Sequence, residues 1–403
     1  MSRSGETGRG TDGVIDIKQK TDCCGCGACI QICPQKCIAF VQDEEGFFYP
    51  EADFLKCVQC GKCEKVCPIK SASAKKRRQP SCYIGYHKED AVRFVSSSGG
   101  IFTPLAEYVI CEMQGVVFGG AYDDTFMVRH TRVDKTEMLD ILRGSKYVQS
   151  QTGQAYQEAE ADLKKDKTVL YTGTPCQIAG LKKYLGKEYS GLYTVEVLCH
   201  GVPGPGLWRQ YLDEKEKHFQ GKVTYVSFRQ MKSKWTSFAM ELQFDNGVKY
   251  EKDRLKDPYM QMFLNNLSLR PACYDCQYKD IDRREADLTI GDCWGIETYM
   301  PDMFDDKGTS VIFVHSEKGR KLLEQIRNKL ILREGEADRA VSPGAESRKS
   351  PLPHPKRKVY LEKVKKGKSI SELAKVTKRS LPERIKTKME RLLETEGRRD
   401  NER

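Results

Sequence analysis

No stretch of this sequence is long and apolar enough to cross a membrane. The best candidate, Ile101 to Met113, is too short and contains Glu107 and Glu112. The opening Met1-Ser2-Arg3-Ser4-Gly5 lacks the apolar centre of a secretory signal, so a cytoplasmic protein is expected. No Ser-His-Asp set and no paired carboxylates stand out, and hydrolysis is not suggested. Most of the chain also lacks an excess of charge. The net charge is +11, yet residues 348–403 hold 19 Lys and Arg against 8 Asp and Glu, and the first 347 residues balance at 49 of each. A neutral body with a basic tail offers no nucleic-acid groove, and no nucleic-acid partner is expected. The tail reads as a solvated helical extension, with docking of an acidic protein such as a ferredoxin, or contact with anionic lipid, as alternatives.

Cysteine, by contrast, is abundant, at 17 residues. Without a signal peptide this argues for a reducing compartment and bound metal rather than disulfides. Cys23, Cys26, Cys29 and Cys33 stand at Cys-x-x-Cys-x-x-Cys-x-x-x-Cys with Pro34 next, and Cys57, Cys60, Cys63 and Cys67 repeat the spacing with Pro68 next. This is the bacterial two-cluster ferredoxin run, in which three thiolates wrap one 4Fe-4S cube and the fourth reaches the other. The expected ligand sets are Cys23, Cys26, Cys29 and Cys67 for the first cluster, and Cys57, Cys60, Cys63 and Cys33 for the second. Gly25, Gly27 and Gly61 let the backbone pass close to the inorganic core and offer N–H groups to it. Disulfides do not explain a doubled triplet followed by proline, and zinc sites use paired rather than tripled spacing. Cys24 and Cys37 fall outside the pattern and are expected as packed thiols.

The chain divides by composition into a disordered start (1–13), a small α+β two-cluster ferredoxin-type domain (14–70), a basic linker (71–80), an α/β body (81–347) and the basic helical tail (348–403). Within the body, short apolar runs such as Val116-Val117-Phe118, Thr168 to Tyr171, Tyr193 to Leu198 and Val311 to Val314 predict buried strands. Gln154 to Lys165, Gln177 to Leu185 and Lys318 to Lys329 predict helices between them. One insertion, Ser237 to Phe244 and Val248 to Glu251 around Asp245-Asn246-Gly247, predicts an antiparallel hairpin. Ser97-Ser98-Gly99-Gly100 leads into a helix, a place where phosphate oxygens can approach unpaired N–H groups and where serine and glycine are also ordinary caps. Cys176 and Cys199 follow predicted strands, and strand ends are where open α/β sheets keep their chemistry. Cys273 and Cys276 resemble half a metal site that Cys176, Cys199 or Cys293 could complete. From spacing alone, zinc, an iron–sulfur cube and unrelated buried thiols all remain open.

Several phrases occur in order: Ser97-Ser98-Gly99-Gly100, Gly144 to Ser150, Gly173 to Leu181, Cys199-His200-Gly201-Val202-Pro203, Asp257-Pro258-Tyr259, Cys273-Tyr274-Asp275-Cys276, Lys279 and Asp287 to Asp292. Together they resemble the coenzyme F-420 hydrogenase/dehydrogenase beta-subunit family over about Ser81 to Lys329, here behind a two-cluster ferredoxin module. The resemblance implies a mixed-sheet, flavoprotein-like body that binds FAD beside a third 4Fe-4S cluster held by Cys176, Cys199, Cys273 and Cys276. It implies flavin-phosphate contacts at Ser97, Ser98, Gly99 and Gly100, and places Lys146, Tyr147 and Gln149 near the flavin. A cation at Lys146 would stabilise reduced, anionic FAD. The sequence departs from the family at Cys293, where relatives often have phenylalanine, and in the basic tail.

The resulting expectation is an iron–sulfur flavoprotein oxidoreductase, ferredoxin-linked, relaying electrons between 4Fe-4S clusters and FAD with hydride transfer to or from an organic acceptor. That acceptor is the deazaflavin coenzyme or another small molecule, because the fold does not name it. The alternatives are a ferredoxin-dependent reductase of an unrelated metabolite and an electron-transfer subunit without a substrate site of its own.

Overall fold

The computed structural model describes residues 13–71 and 77–378; nearly all of the expected disordered start, part of the expected linker and the last part of the basic tail lie outside them. The architecture is mixed α/β, with a small ferredoxin-like region, a large mixed sheet and a helical C-terminal part. The ferredoxin-like region carries an antiparallel hairpin of β1 (Ile38–Gln42) and β2 (Phe48–Ala52) between two single-turn helices, Ala28–Gln31 and Lys62–Lys65. Each helix follows a left-handed glycine, Gly27 or Gly61, and each carries the third cysteine of its motif. The two halves of the cysteine repeat therefore have the same local shape.

The body is built on eight strands. They comprise β3 (Ser81–His87), β4 (Val116–Tyr122), β5 (Val128–Val133), β6 (Val169–Gly173) and β7 (Leu192–Val197). A separate antiparallel sheet follows, of β8 (Val223–Lys234), β9 (Ser237–Phe244) and β10 (Lys249–Asp253). The large sheet is completed by β11 (Leu288–Asp292), β12 (Ser310–Val314) and β13 (Leu330–Gly335), in the order β13-β3-β12-β11-β7-β6-β4-β5. The central four, β4, β6, β7 and β11, run parallel, and antiparallel strands flank them on both sides. The hairpin expected around Asn246-Gly247 is β9–β10, with β8 added as a third strand.

Side-chain alternation sorts the large sheet's two faces. Val117, Leu170, Val195, Leu288 and Ile312 pack with Leu105 and Val109 of helix Phe102–Cys111 and with Leu322 and Leu323 of helix Glu317–Gln325. Val116, Phe118, Val169 and Tyr171 face the other way, onto helices Ala155–Leu163 and Pro175–Leu185. The ferredoxin-like region docks outside that second helix layer, and Cys24, Cys26, Ala28 and Val66 join the same apolar cluster. Gly180 makes the approach possible. A Cβ there would lie 2.9 Å from the Cys26 Cβ and 2.9 Å from the Tyr156 hydroxyl.

The first part of the basic tail is packed rather than solvated. Helix Arg357–Lys365 inserts Tyr360, and Ile370–Ala374 inserts Ile370 and Leu373, into the cluster formed with helices Pro205–Phe219 and Pro258–Leu264. Its lysines sit on the outer face of a short amphipathic segment, so the charge excess obscures the apolar stripe. Among the described residues no helix is long and apolar enough to cross a membrane.

Replacing Gly180 with valine is expected to destabilise the docking of the ferredoxin-like region by roughly 1–3 kcal/mol through overpacking. Denaturant unfolding should then show an early transition that wild type lacks; a single unchanged transition would count against the seam described above.

Candidate metal centres and cofactor cleft

Cys23, Cys26, Cys29 and Cys67 line one small cavity together with Cys24, and Gly25, Gly27, Ile15 and Phe40 are among the other residues of its wall. Cys67 of the second motif is part of that wall and Cys33 is not, an arrangement compatible with crossed ligand sets. Burial, followed by the neighbouring thiols Cys23, Cys67 and Cys63, holds the Cys29 thiol well above its ordinary pKa. Such a group can ionise together only if a positive core neutralises it, which is what the irons of a cube provide. Among the described residues no three His, Cys, Asp or Glu side chains are arranged to hold a single metal ion. The thiols stand around a space instead of converging on a point.

Arg270 supplies an independent test of fit. It is 1% exposed. Its Nε donates to the Cys23 carbonyl at 2.7 Å, Nη1 to Gln149 Oε1 at 2.9 Å, and Nη2 to the Phe48 carbonyl at 3.0 Å and to Cys23 Sγ at 3.4 Å. Among the described residues no carboxylate pairs with it. A buried cation without a counter-ion costs several kcal/mol, roughly, so the site requires a negative charge beside Cys23. A thiolate-ligated 4Fe-4S cluster carries one.

The second group is more open. Cys60 is exposed, Cys57 and Cys33 are half-buried, and Cys63 is buried. Ile15 N–H donates to Cys63 Sγ at 3.2 Å and Gln59 N–H to Cys57 Sγ at 3.4 Å. Cys33 Sγ lies 3.4 Å from Cys37 Sγ. Burial, then contact with Cys33 and Cys57, pushes the Cys37 thiol up to about 12. Cys37 is thus a packed thiol that touches two of the expected ligands.

In the body, β6 and β7 are parallel neighbours, so their ends set Cys176 and Cys199 side by side. Cys176 is the second residue of helix Pro175–Leu185, whose start is fixed by a Thr174–Gln177 capping box; the neighbouring Cys24 thiol and burial hold its own thiol well above the ordinary pKa. The short turn Pro271–Cys273 brings in Cys273 and then Cys276. Burial raises Cys276 to about 11, with further contributions from Cys176 and Cys199, and burial followed by Cys199 and Cys276 raises Cys273. The four thiols are thus electrostatic neighbours of one another. Lys279, also buried, donates to the carbonyls of Cys199, His200 and Glu346 at 2.6, 3.0 and 2.5 Å and pairs with no carboxylate among the described residues. Cys293 does not join them. Its thiol points at the Ala340 carbonyl, 3.7 Å away, and its nearest thiol neighbour is Cys82.

Cys24 stands between the first group and the third. Its thiol neighbours Cys176, which lowers its pKa, and Cys26, which with burial raises it, and the balance leaves it well above the ordinary thiol range. Neither Cys24 nor Arg270 carries a motif that would have singled it out, because their roles depend on contacts between distant segments.

The turn Ser97-Ser98-Gly99-Gly100 lies at the same edge as Lys146 and Tyr147. Ser97 Oγ accepts from the Ser145 N–H at 2.6 Å, and Trp235 Nε1 donates to the Ser97 carbonyl at 3.1 Å. Ser98 and Gly99 bond to the Thr309–Ser310 backbone and side chain. Helix Phe102–Cys111 then starts without a side-chain cap. Half-buried Lys146 donates to the carbonyls of Arg143 at 2.8 Å and Gly144 at 3.3 Å; burial lowers its pKa to about 7. Tyr147 stacks on Phe263 with ring centroids 4.8 Å apart. Gln149 leaves this edge: it donates to the Cys24 carbonyl at 2.8 Å and accepts from Arg270, joining the first thiol group. His200 bonds to Asn266 at 2.7 Å and faces Glu346 at 3.2 Å; burial lowers its pKa.

The crossed sets make a sharp prediction. A Cys33→Ala/Cys57→Ala double variant removes two ligands of one cluster and should lose about four irons per chain; uncrossed sets would lose about eight. Iron and acid-labile sulfide after anaerobic reconstitution decide it.

Residues 166–340 match the family model that describes the C terminus of the coenzyme F420 hydrogenase/dehydrogenase beta subunit, and residues 22–71 match the 4Fe-4S dicluster domain. No curated protein matches the chain. Among solved structures, the chain is similar to the F420-reducing [NiFe] hydrogenase complex from Methanosarcina barkeri at 16% identity, covering 75% of this chain and 91% of that one, with a TM-score of 0.43. The dicluster match covers the eight motif cysteines, and the beta-subunit match covers the four body cysteines and Arg270. Residues 166–340 are thus similar to the C terminus of coenzyme F420 hydrogenase/dehydrogenase beta subunits, and they follow a segment, residues 22–71, that matches a 4Fe-4S dicluster domain.

Proposed function

We propose that this chain is an iron–sulfur flavoprotein subunit that takes single electrons from an outside carrier protein and delivers them in pairs to a small organic acceptor. The observation that carries this reading is the unbroken succession of thiol groups. The second group reaches the surface at Cys60, the first lies inside it, and Cys24 stands beside Cys176 of the third. Near Cys60 the surface presents Leu55 and Val58, both largely exposed, with Lys62 and Lys65 beside them. This suits a partner with an acidic rim around its own redox centre.

FAD bound along Ser97–Gly100 and Lys146 would supply the two-electron chemistry that one-electron clusters lack. The chain's own residues fit that task. The uncapped start of helix Phe102–Cys111 offers N–H groups to phosphate. Lys146 has no carboxylate partner among the described residues and can answer negative charge on the ligand. Tyr147, held against Phe263, lends an aromatic wall, and the Trp235–Trp294 pair, stacked at 4.4 Å, lies beside the Ser97 carbonyl. The family description, which names coenzyme F420, supports a deazaflavin as the acceptor to try first.

Iron, sulfide and flavin per chain, measured on protein reconstituted without oxygen, test the reading. About twelve irons and about one FAD are expected. About eight irons with no flavin retained after FAD is supplied would instead leave an electron carrier without a substrate site.

Lys146 gives a pH prediction. Its pKa is lowered to about 7, so the ammonium is present below that pH and lost above it. FAD affinity, read by flavin fluorescence quenching, should weaken by roughly tenfold between pH 6 and pH 9 as a charge-assisted contact is lost. Lys146→Met should bind weakly at both ends of that range with no such slope. A wild-type affinity that is flat across the range would remove Lys146 from the flavin site.

A further inference from the structure

The two N-terminal thiol groups differ in one respect that their matched motifs conceal. The second meets solvent at Cys60, and its sulfurs accept from backbone N–H groups. The first is enclosed, and a guanidinium is fixed against it: Arg270 touches Cys23 Sγ at 3.4 Å and spends its remaining donors on the Cys23 and Phe48 carbonyls and on Gln149. Its guanidinium carbon lies over the Tyr49 ring, 4.3 Å from the centroid. With four partners and a stacking surface it has one orientation.

Two effects on reduction oppose each other here. Reduction adds a negative charge, which water stabilises and a buried, low-dielectric site does not. Burial alone would make the first cluster the harder of the two to reduce, and an electron arriving at Cys60 would remain there. A fixed positive charge in the same low-dielectric site acts in the opposite sense, and at this range it is barely screened. Hydrogen bonding to a ligand sulfur acts in that sense too.

We propose that Arg270 sets the inward direction of electron flow, its buried charge raising the reduction potential of the first cluster so that it accepts electrons from the exposed second cluster. The proposal rests on the reading that both groups hold 4Fe-4S clusters. The step moves one electron: the second cluster is oxidised by one as the first is reduced by one, and no bond or proton changes. The electron comes from the one-electron carrier protein that docks near Cys60. Arg270 also lies three residues before Cys273, so the segment that fixes the charge also carries a ligand of the next site inward.

The test is an EPR-monitored redox titration of the full reconstituted chain, with the first cluster's signal assigned from a Cys60→Ala variant. Arg270→Gln should shift the partition of an electron between the two clusters at least tenfold toward the second, equivalent to about 59 mV for a one-electron couple. Arg270→Lys keeps the charge without the fork and should stay closer to wild type than Arg270→Gln. Gln149→Glu leaves the arginine in place but pairs its charge, and should shift the partition the same way as Arg270→Gln. If Arg270→Gln fails to assemble the first cluster, Gln149→Glu decides alone. Full iron content with unmoved potentials in Gln149→Glu, or a loss in Arg270→Lys as large as in Arg270→Gln, overturns the proposal. Fewer than about eight irons in wild type would instead overturn the cluster reading itself, so the two failures are distinguishable.

Discussion

A guanidinium buried at the seam between the thiol-rich segment and the sheet must be compensated by negative charge. The one ionisable group within hydrogen-bonding reach of Arg270, among the described residues, is the Cys23 thiol. That requirement ties the architecture together. Arg270 belongs to the segment leading into Cys273, Gln149 to the loop after Lys146, and Cys23 and Phe48 to the ferredoxin-like region. A single side chain thus joins three segments remote in sequence. Gly25 permits the closeness, since a Cβ there would meet Gln149 Nε2 at 2.5 Å and Arg270 Nη1 at 2.9 Å.

The same economy of position governs the third group. Parallel strands finish at one edge of a sheet, so residues that follow β6 and β7 are neighbours without further instruction. A helix start at Cys176 adds a partial positive charge, and Lys279 adds a full one at the Cys199 carbonyl. Both inner thiol groups therefore have a buried cation attached to their ligand segments, whereas the outer one has backbone donors and water. Buried positive charge is thus present at the two inner groups, on a sulfur at Cys23 and on a carbonyl at Cys199.

Structural demands account for other phrases of the sequence. Asp257 caps helix Pro258–Leu264 through the Met260 N–H and accepts from the hydroxyls of Tyr211 and Tyr250 at 2.7 and 2.9 Å. Asp287 receives the Thr194 N–H and hydroxyl, both at 2.8 Å, and the Ser316 hydroxyl at 2.5 Å, which fastens β7 to the start of β11. Such buried, fully occupied carboxylates hold the sheet in register and are not free for proton transfer.

The doubled cysteine run was legible because its information is local: three ligands two residues apart close around one core whatever surrounds them. The alternation of Val117 and Phe118, or of Leu170 and Tyr171, likewise declared buried strands, since a strand's faces repeat every two residues. The third thiol group was legible only through order and resemblance, because its members are scattered from Cys176 to Cys276. Three features depended on tertiary structure alone. Gln149 turns from the cofactor edge to the first thiol group, Tyr360 of the charged tail is buried, and Arg270 lies against Cys23 across 247 positions. Local spacing singled out the eight N-terminal cysteines as candidate iron ligands. The electrostatic setting of each site was decided by packing, because a charge acts through distance and burial, and neither is encoded in neighbouring residues.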